Sequence, residues 1–395
     1  MTEFTNIQWL FPTQIDYESW RIQKTDVPFA EGTIAYLNVL SSAIMHDPQS
    51  RLYPDVATFA FFCRRANLVK LQEAYKSNAI RLGRGMVFHI APSNVPINFA
   101  YSLVSGLLAG NYNVVRISSK SFPQVDVVLR HMHELESEYP EVSKRIAIVR
   151  YEHDSNANAI FSADCAVRVI WGGDATIARI RECAIPARSF DICFADRYST
   201  AVINSDKIIT ENLKPLAERF YNDTYLFDQN ACSAPHLVVW TGKHVEEAKK
   251  RFWDAVQEVA EQKYQFQEVM AVDKLTALYK QSCAMQTCEE QTKNNLLRRV
   301  EITELPCDID SFRCTGGYFT EYTAQTLDDI APIVNTKYQT LAYFGFEHDE
   351  LRDFVLRNRL TGIDRIVPFG ETTTFSLTWD GMNLIERMSR IVDVL

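Results

Sequence analysis

Nothing in the sequence marks an exported, membrane-spanning or disulfide-stabilised protein. Its nine cysteines are scattered singly through 395 residues, so a disulfide framework is not expected. No run approaches the roughly 18 uninterrupted apolar residues that a membrane helix requires. The first twenty residues include acidic side chains and lack the basic segment and apolar core of a signal peptide. These absences predict a reduced, cytoplasmic protein without a membrane span.

Positive charge and metal-ligand spacing are scarce as well. The formal net charge is −9, whereas a nucleic-acid-binding domain normally presents a basic face. Cys283 and Cys288 form the closest cysteine pair, and the nearest histidines, His236 and His244, complete no zinc-ligand spacing with them. We therefore predict neither a nucleic-acid partner nor a metal site.

What the sequence does contain is a large apolar and aromatic content in alternating strand and helix patterns. Hydrophobic residues make up 47% of the chain, with 23 Phe, 17 Tyr and 6 Trp, enough to bury the cores of two or three domains. Short β-branched and aromatic runs predict strands at 85–90, 113–117, 145–150 and 166–171, and apolar spacing predicts helices at 98–109, 123–138 and 175–183. Such alternation predicts an α/β fold with a doubly wound parallel sheet.

The second half of the chain continues with predicted helices at 210–221, 244–263 and 267–281. Strands are predicted near 300 and 318 and at 341–346. Residues 365–381 are rich in turn-forming side chains, which is typical of loop material at an active site.

A single cysteine lies in a segment suited to nucleophilic chemistry. Cys232 stands among small and polar residues in DQNACSAP, residues 228–235, ahead of an apolar run. A reactive thiolate needs partial exposure and nearby hydrogen-bond donors or positive potential, and small neighbours let a substrate approach. A buried structural cysteine is the alternative that this segment alone leaves open.

Three predicted strands end in residues suited to holding a phosphate or a developing negative charge. Ligands collect at the carboxyl ends of strands in open α/β sheets, where an amide can stabilise an oxyanion and Arg can bind a phosphate bidentately. Backbone N–H groups of a strand-to-helix turn can bind a pyrophosphate. An ordinary turn or a solvated loop explains each segment as well when it is taken alone. The candidates after the three strands are Ser93 and Asn94; Arg116, Ser118 and Ser119; and Gly172, Gly173 and Thr176.

Taken together and in this order, these segments resemble the aldehyde dehydrogenase superfamily and, within it, the LuxC-type acyl-CoA reductases of bacterial bioluminescence. FHIAPSNVP at 88–96 is similar to the superfamily's Pro-Trp-Asn segment, and GLLAGNYNVVR at 106–116 to the segment leading to its adenosine-ribose Lys. WGGDAT at 171–176 resembles its pyrophosphate turn, and QNACSAP at 229–235 its nucleophile motif. TGIDRIVPFGETTTFSLTWDG at 361–381 resembles the LuxC-type branch most specifically.

The resemblance implies an aldehyde dehydrogenase-like fold and a division of the chain. Apolar spacing predicts a mostly helical lead-in at 1–80. The resemblance, which begins near residue 80, implies a Rossmann-like NADP-binding domain at 81–204, a smaller α/β catalytic domain at 205–375, and a segment at 376–395 that packs back or oligomerises. It makes Cys232 the nucleophile and Asn94 the oxyanion donor, and it gives the remaining strand-end residues to the cofactor. A homo-oligomer is what the family leads us to expect.

Two departures from the superfamily pattern refine the expected chemistry. Hydrolytic members use a Glu to activate water, but residues 192–199, ICFADRYS, contain none and leave Asp196 as the alternative base. Without that base an acyl-enzyme is poorly hydrolysed, which favours an acylating reductase. The superfamily's ribose-binding Lys becomes Arg116, and the Glu three residues later becomes Ser119, which favours NADPH over NADH.

The resemblance, with these departures, implies an enzyme that reduces an acyl thioester to a fatty aldehyde. The Cys232 thiolate would attack an acyl-CoA or a carrier-protein-bound acyl group, and NADPH, or NADH as the second choice, would reduce the acyl-enzyme. An acyl-protein synthetase is a partner that the family implies. A dehydrogenase that makes a carboxylic acid and a non-catalytic acyl-carrying subunit remain as alternatives. The roles of His236, Glu371 and Trp379 stay open.

Overall fold

The computed structural model describes residues 2–76, 79–152, 154–285 and 288–394, without the side chains of 288–291. The chain divides into two compact units, unit 1 comprising Met1–Ala195 and Leu377–Leu395, and unit 2 comprising Asp196–Ser376. The strands, in chain order, are β1 (Ile7–Phe11), β2 (Ile80–Gly83), β3 (Met86–Ile90), β4 (Tyr112–Arg116), β5 (Ile146–Tyr151), β6 (Val167–Trp171), β7 (Phe190–Phe194), β8 (Tyr198–Asn204), β9 (Pro235–Thr241), β10 (Cys288–Asn294), β11 (Leu297–Ile302), β12 (Tyr318–Thr323), β13 (Tyr338–Phe344), β14 (Arg365–Pro368), β15 (Thr378–Trp379), β16 (Met382–Asn383) and β17 (Ser389–Val392).

Helices cover the faces of the sheets and connect most of the parallel strands. The α-helices are α1 (Tyr17–Trp20), α2 (Glu31–His46), α3 (Pro54–Phe62), α4 (Arg65–Ala74), α5 (Asn98–Leu108), α6 (Pro123–Glu134), α7 (Pro140–Ser143), α8 (Ala157–Asp164), α9 (Asp174–Arg181), α10 (Ser205–Ile208), α11 (Leu213–Thr224), α12 (Val245–Lys263), α13 (Val269–Ala284), α14 (His348–Asn358) and α15 (Leu384–Met388). Short 3-10 helices lie at Pro48–Leu52, Tyr225–Phe227, Ile309–Ser311 and Leu327–Ile333.

The main sheet of unit 1 is doubly wound. Its strand order is β1-β5-β4-β3-β6-β7, and β3 to β7 run parallel. The chain winds outward from β3 through β4 to β5, and then returns to place β6 and β7 on the other side. The winding therefore reverses between β3 and β6, which is the arrangement that the sequence pattern predicted. Every residue of β3 is buried, as expected for a parallel strand covered on both faces.

The first eighty residues contain a strand as well as helices. β1 pairs antiparallel with β5 at the edge of the unit 1 sheet, although the sequence indicated a mostly helical lead-in. Its five residues show no long strand pattern, and pairing with β5 supplies the backbone hydrogen bonds that an isolated strand lacks. At the other end of the chain, β17 pairs antiparallel with β2.

Unit 2 contains a second, largely parallel sheet of order β10-β11-β12-β9-β8-β13-β14. Within it, β10 and β11 are antiparallel. β8 lies between β9 and β13 and is parallel to both, so it belongs inside this sheet, whereas the predicted boundary at 204/205 assigned it to the preceding domain. One face packs against α11 and α12, with Phe220 and Trp253 in its core. The other packs against α14 and the Leu327–Ile333 helix, with Phe354 and Ile330.

Two kinds of structural feature are missing from the described residues. None of the helices there combines the length and the apolar character needed to cross a bilayer. Nor do three His, Cys, Asp or Glu side chains converge as metal ligands anywhere in the described parts of the chain.

Candidate active site

Cys232 lies in a tightly bent loop of unit 2, between the Tyr225–Phe227 helix and β9, and its side chain is exposed. The loop enters through Asp228 and Gln229, which have φ values of 52° and 60°. A left-handed backbone is unfavourable for residues that carry a Cβ. Two such residues in succession therefore require compensating contacts from the surrounding structure.

The side chain of Gln229 supplies most of that compensation. It is buried, and its Nε2 donates to the carbonyl oxygens of Pro235 at 2.9 Å and Tyr318 at 3.0 Å. Its Oε1 accepts from the backbone N–H groups of Gly317 at 3.0 Å and Tyr318 at 3.1 Å. One amide thus ties the loop to the starts of β9 and β12.

The chain that faces Gln229 must approach closely, and glycine makes this possible. Gly317 has φ of +89°, and a Cβ there would lie 2.3 Å from the Leu296 carbonyl oxygen and 2.5 Å from the Tyr225 hydroxyl. Any larger residue would push the chain away from Gln229. Nearby, the Tyr264 hydroxyl donates to Asp228 Oδ1 at 2.8 Å, so both left-handed residues are held by side-chain contacts.

Two neighbouring strands hold Cys232 itself. Ser199 of β8 donates its hydroxyl to the Cys232 carbonyl oxygen at 2.7 Å and accepts from the Thr340 N–H at 3.2 Å. Gln339 of β13, which is fully buried, places its Nε2 3.4 Å from Cys232 Sγ. The Cys232 side chain is therefore exposed, and its sulfur is contacted by an amide donor from inside the sheet. Sequence reasoning missed Gln339, whose signal was a polar residue within the otherwise largely apolar run YQTLAYF.

His236, whose role the sequence left open, and Asp196, the alternative base, are both engaged with other groups. Burial, and secondarily the charge of Arg313, lower the pKa of His236 to about 3, so the ring is neutral. Its Nδ1 lies 3.2 Å from the Cys314 carbonyl oxygen and its ring stacks on Tyr198, which are structural contacts. Both carboxylate oxygens of Asp196 accept from Arg313 Nη2 at 2.8 Å, so this alternative base is half of an ion pair.

The cofactor candidates of unit 1 lie at the carboxyl ends of three adjacent strands. β4, β3 and β6 are neighbours in the sheet and run parallel, so the residues that follow them emerge at one edge. Ser93 and Asn94 follow β3 and are exposed. The Asn94 side chain makes no hydrogen bond with another described residue, which leaves its amide available to a ligand.

Arg116, at the end of β4, is partly committed to its neighbours. Its Nη2 donates to the Tyr151 carbonyl oxygen at 3.4 Å, and its guanidinium lies 5.3 Å from the centre of the Tyr151 ring. Its Nε is buried and has no hydrogen-bond partner within the described parts of the chain. In the same segment, the Ser118 hydroxyl accepts from the Lys120 N–H at 3.1 Å, while Ser119 is exposed.

The turn after β6 leads directly into α9. Gly173 is the N-cap and Asp174 lies in the first helical turn. A Cβ on Gly172 would lie 3.1 Å from Thr176 Cγ2, whereas Gly173 has open space around it. The absence of a side chain at both positions leaves room for a ligand beside the exposed residues of this turn.

A buried polar network joins these strands beneath their ends. Trp171 Nε1 donates to Ser102 Oγ at 3.0 Å, and His89 Nδ1 lies 2.7 Å from the same oxygen. His89 Nε2 lies 3.1 Å from Asn113 Oδ1. Burial lowers the pKa of His89 to about 4, so the ring is neutral, with Nε2 donating and Nδ1 accepting. The network therefore links β6, α5, β3 and β4 in one hydrogen-bonded arrangement.

These strand ends fit a dinucleotide cofactor. The crevice outside the carboxyl ends, where the winding of an open sheet reverses, is the usual binding position of such ligands. Here that reversal lies between β3 and β6, with Asn94 on one side and Gly172 on the other. The unpartnered Nε of Arg116 is a donor suited to an anionic group.

The remaining candidates fall into separate units. Glu371 in unit 2 is exposed and accepts from the Thr374 hydroxyl at 2.7 Å. The adjoining loop is anchored by Asp223, which accepts from the Gly370 N–H at 2.7 Å. Burial raises the pKa of Asp223 to about 6. Trp379, in β15 of unit 1, is buried.

The fold is that of the aldehyde dehydrogenases. A NAD-dependent benzaldehyde dehydrogenase from Corynebacterium glutamicum superposes with a TM-score of 0.63 at 13% identity, over 95% of this chain and 86% of that one. A lactaldehyde dehydrogenase superposes with a TM-score of 0.64 at 11% identity, over 95% and 87%. At these identities the likeness establishes the fold alone, and it confirms the predicted aldehyde dehydrogenase-like α/β architecture.

Within that fold, the chain belongs to the acyl-CoA reductase (LuxC) family, whose model matches residues 63–391. The predicted resemblance is thereby confirmed. A long-chain acyl-protein thioester reductase from Vibrio harveyi is 23% identical over 320 residues, 78% of this chain and 64% of that protein. One from Photorhabdus luminescens is 22% identical over 316 residues, 77% and 62%. The matches thus span less than two thirds of the length of these relatives.

Proposed function

We propose that this protein is an acyl-thioester reductase that releases an aldehyde through an acyl-enzyme on Cys232. The observation that carries the proposal is the exposed Cys232 thiol on a loop held by Gln229, with an amide donor 3.4 Å from its sulfur. Membership of the acyl-CoA reductase family supports the same reaction class. The named activity of the relatives supports a protein-bound acyl substrate, and the description of the family supports a CoA-bound one.

Acyl transfer begins with the Cys232 thiolate attacking the thioester carbonyl carbon. The new C–S bond forms, the carbonyl becomes an oxyanion, and the carrier thiolate then leaves and takes a proton. The exposed side chain lets a bulky acyl donor approach. The hydrogen bond from Ser199 to the Cys232 carbonyl oxygen fixes the backbone from which the nucleophile projects, so that little motion is needed on attack.

Asn94 is proposed as a donor to the oxyanion, because its amide is exposed and makes no hydrogen bond with another described residue. The Cys232 backbone N–H is proposed as the second donor. Removal of one such donor costs about 3 kcal/mol of transition-state stabilisation in other enzymes. An Asn94→Ala variant should therefore slow acylation about a hundredfold while leaving the exposed thiol reactive to small alkylating reagents.

The reductive half of the reaction requires a nicotinamide cofactor. When bound, it supplies hydride to the acyl carbon. The residues proposed to hold it are Ser93, Arg116, Ser118, Ser119, Gly172, Gly173 and Thr176. We propose NADPH, because Arg116 offers an unpartnered Nε and Ser119 leaves no carboxylate where the 2′-phosphate would lie.

We expect the product to be an aldehyde and not a carboxylic acid because of how Asp196 and His236 are bonded. The Asp196 carboxylate is paired with Arg313, and His236 is buried against a backbone carbonyl. Neither is placed to activate water toward an acyl-enzyme. The reduced adduct instead expels the Cys232 thiolate as the C–S bond breaks, while its hydroxyl proton goes to solvent and the carbonyl of the aldehyde forms.

The deciding experiment uses purified protein with NADPH and acyl-CoA thioesters of increasing chain length, and identifies the product after trapping. Aldehyde formation with the native chain and none with Cys232→Ala is expected. Cys283→Ala is the matched control, because Cys283 is also exposed but lies on α13, and it should retain full activity. Carboxylic acid as the product would replace the proposal with a dehydrogenase, and a stable acyl label on Cys232 without reduction would indicate an acyl-carrying subunit.

A further inference from the structure

We propose that Gln339 is a hydrogen-bond donor to the Cys232 thiolate, which it stabilises as the attacking group and again as the group expelled when aldehyde is released. The inference rests on the proposed function of Cys232. Its starting point is the 3.4 Å contact between Gln339 Nε2 and Cys232 Sγ, from a side chain that is fully buried.

The position of Gln339 is set by the sheet and not by the loop that carries Cys232. Gln339 lies on β13, which pairs with β8 on one side and β14 on the other. The adjacent Thr340 donates its N–H to Ser199, and Ser199 in turn holds the Cys232 carbonyl oxygen. One strand therefore fixes both the backbone and the sulfur of the nucleophile. A donor held this way needs little reorganisation when charge develops.

The orientation of the amide follows from its second contact. Thr340 Oγ1 lies 3.4 Å from Gln339 Oε1 and donates to it, which directs the NH2 end toward the sulfur. Ionised sulfur accepts a hydrogen bond more strongly than a neutral thiol does. The amide therefore favours the thiolate over the thiol, and thiolate is the reactive form.

The charged or titratable side chains of His236, Asp196 and Asp228 bond to partners other than Cys232. His236 is neutral and bound to the Cys314 carbonyl oxygen, and Asp196 and Arg313 neutralise each other. Asp228 accepts from Tyr264. A neutral amide inside the sheet can stabilise the Cys232 thiolate without carrying charge into the core.

The same donor acts at both ends of the reaction. During acylation the sulfur electron pair forms the C–S bond, and the amide is left beside a neutral thioester sulfur. During aldehyde release that bond breaks and the electron pair returns to sulfur, where the amide again meets a thiolate. Stabilising the leaving group accelerates collapse of the adduct, so Gln339 is expected to influence product release as well as attack.

The test measures alkylation of Cys232 by iodoacetamide as a function of pH, followed by peptide mass spectrometry, in the full-length chain. Gln339→Leu should move the midpoint of the profile about one pH unit higher, the loss expected for one charge-assisted hydrogen bond. Single-turnover aldehyde release from acyl-enzyme should slow about tenfold in the same variant. Gln281→Leu is the matched control, because Gln281 is also fully buried but bonds Tyr318 and Thr320, and its midpoint should not move.

Gln339→Glu provides a second variant of the same size, and its carboxylate beside the sulfur should raise the midpoint further. An unchanged midpoint in both Gln339 variants, with native circular dichroism, would overturn the proposal. Alkylation requires no reductase activity, so a failure of the Gln339 proposal can be distinguished from a failure of the proposed function. A shifted midpoint in a protein that reduces no thioester would contradict the proposed function and support the role of Gln339. Reduction with an unchanged midpoint would support the proposed function and contradict the role of Gln339.

Discussion

Replacing Gln229 with Leu preserves the approximate size of the side chain and removes every hydrogen bond made by its amide. Two bonds donated to Pro235 and Tyr318 would be lost, and two accepted from Gly317 and Tyr318. All four partners are backbone groups, and Gln229 itself is buried, so water cannot readily replace the amide. The variant therefore leaves buried polar groups unpaired in addition to losing favourable contacts.

The magnitude follows from the count of bonds. A net value of about 1 kcal/mol for each of four bonds gives a loss of about 4 kcal/mol, near the upper end for a single substitution. A domain stability of about 5–15 kcal/mol leaves the chain folded at room temperature. The loop also loses the contacts that hold Gln229 at φ of 60°, so the Cys232 thiol should become less well positioned for acylation.

Urea unfolding at neutral pH measures this effect, with acylation of Cys232 as a second readout. Asn230→Ala is the control, because Asn230 is the exposed neighbour in the same loop and should change stability by less than about 0.5 kcal/mol. A loss below about 1 kcal/mol in Gln229→Leu, with acylation unimpaired, would show that this amide does not hold the nucleophile loop.

Two further predictions concern His89 and Arg116, both in unit 1. Because the pKa of His89 is lowered to about 4 in the folded state from an unfolded value near 6.5, the unfolded chain gains a proton first as pH falls. The free energy of unfolding therefore falls below about pH 6.5, and protonation of His89 in the unfolded chain accounts for a loss of about 2 kcal/mol by pH 5. Measured by urea unfolding at a series of pH values, the His89→Gln variant should lose less stability over the same interval. A parallel loss in both proteins would contradict this. Arg116→Leu should raise KM for NADPH about tenfold, as expected for one charge-assisted hydrogen bond, with little change for NADH in steady-state kinetics; equal effects on both cofactors would remove Arg116 from 2′-phosphate recognition.

Strand and helix order was readable from the sequence because each element carries its own pattern. The buried run that forms β3 and the apolar spacing of α5 are local features, and they appear within a residue or two of their predicted bounds. The cofactor candidates could be placed for the same reason, since residues that follow parallel strands share one edge of a sheet. Cys232 was predicted as the nucleophile from the small residues beside it together with the resemblance of its segment to the family's motif.

What the sequence by itself determined is the alternation of elements, the winding of the unit 1 sheet and the segment that carries the thiol. Only the tertiary structure decided that β8 lies inside the second sheet, between β9 and β13, because strand pairing joins segments far apart in the chain. The environment of Cys232 was decided in the same way. Gln339 lies 107 residues away along the chain, and no local pattern indicates which distant amide a sulfur will meet, because that contact is set by the register of strands in the folded sheet.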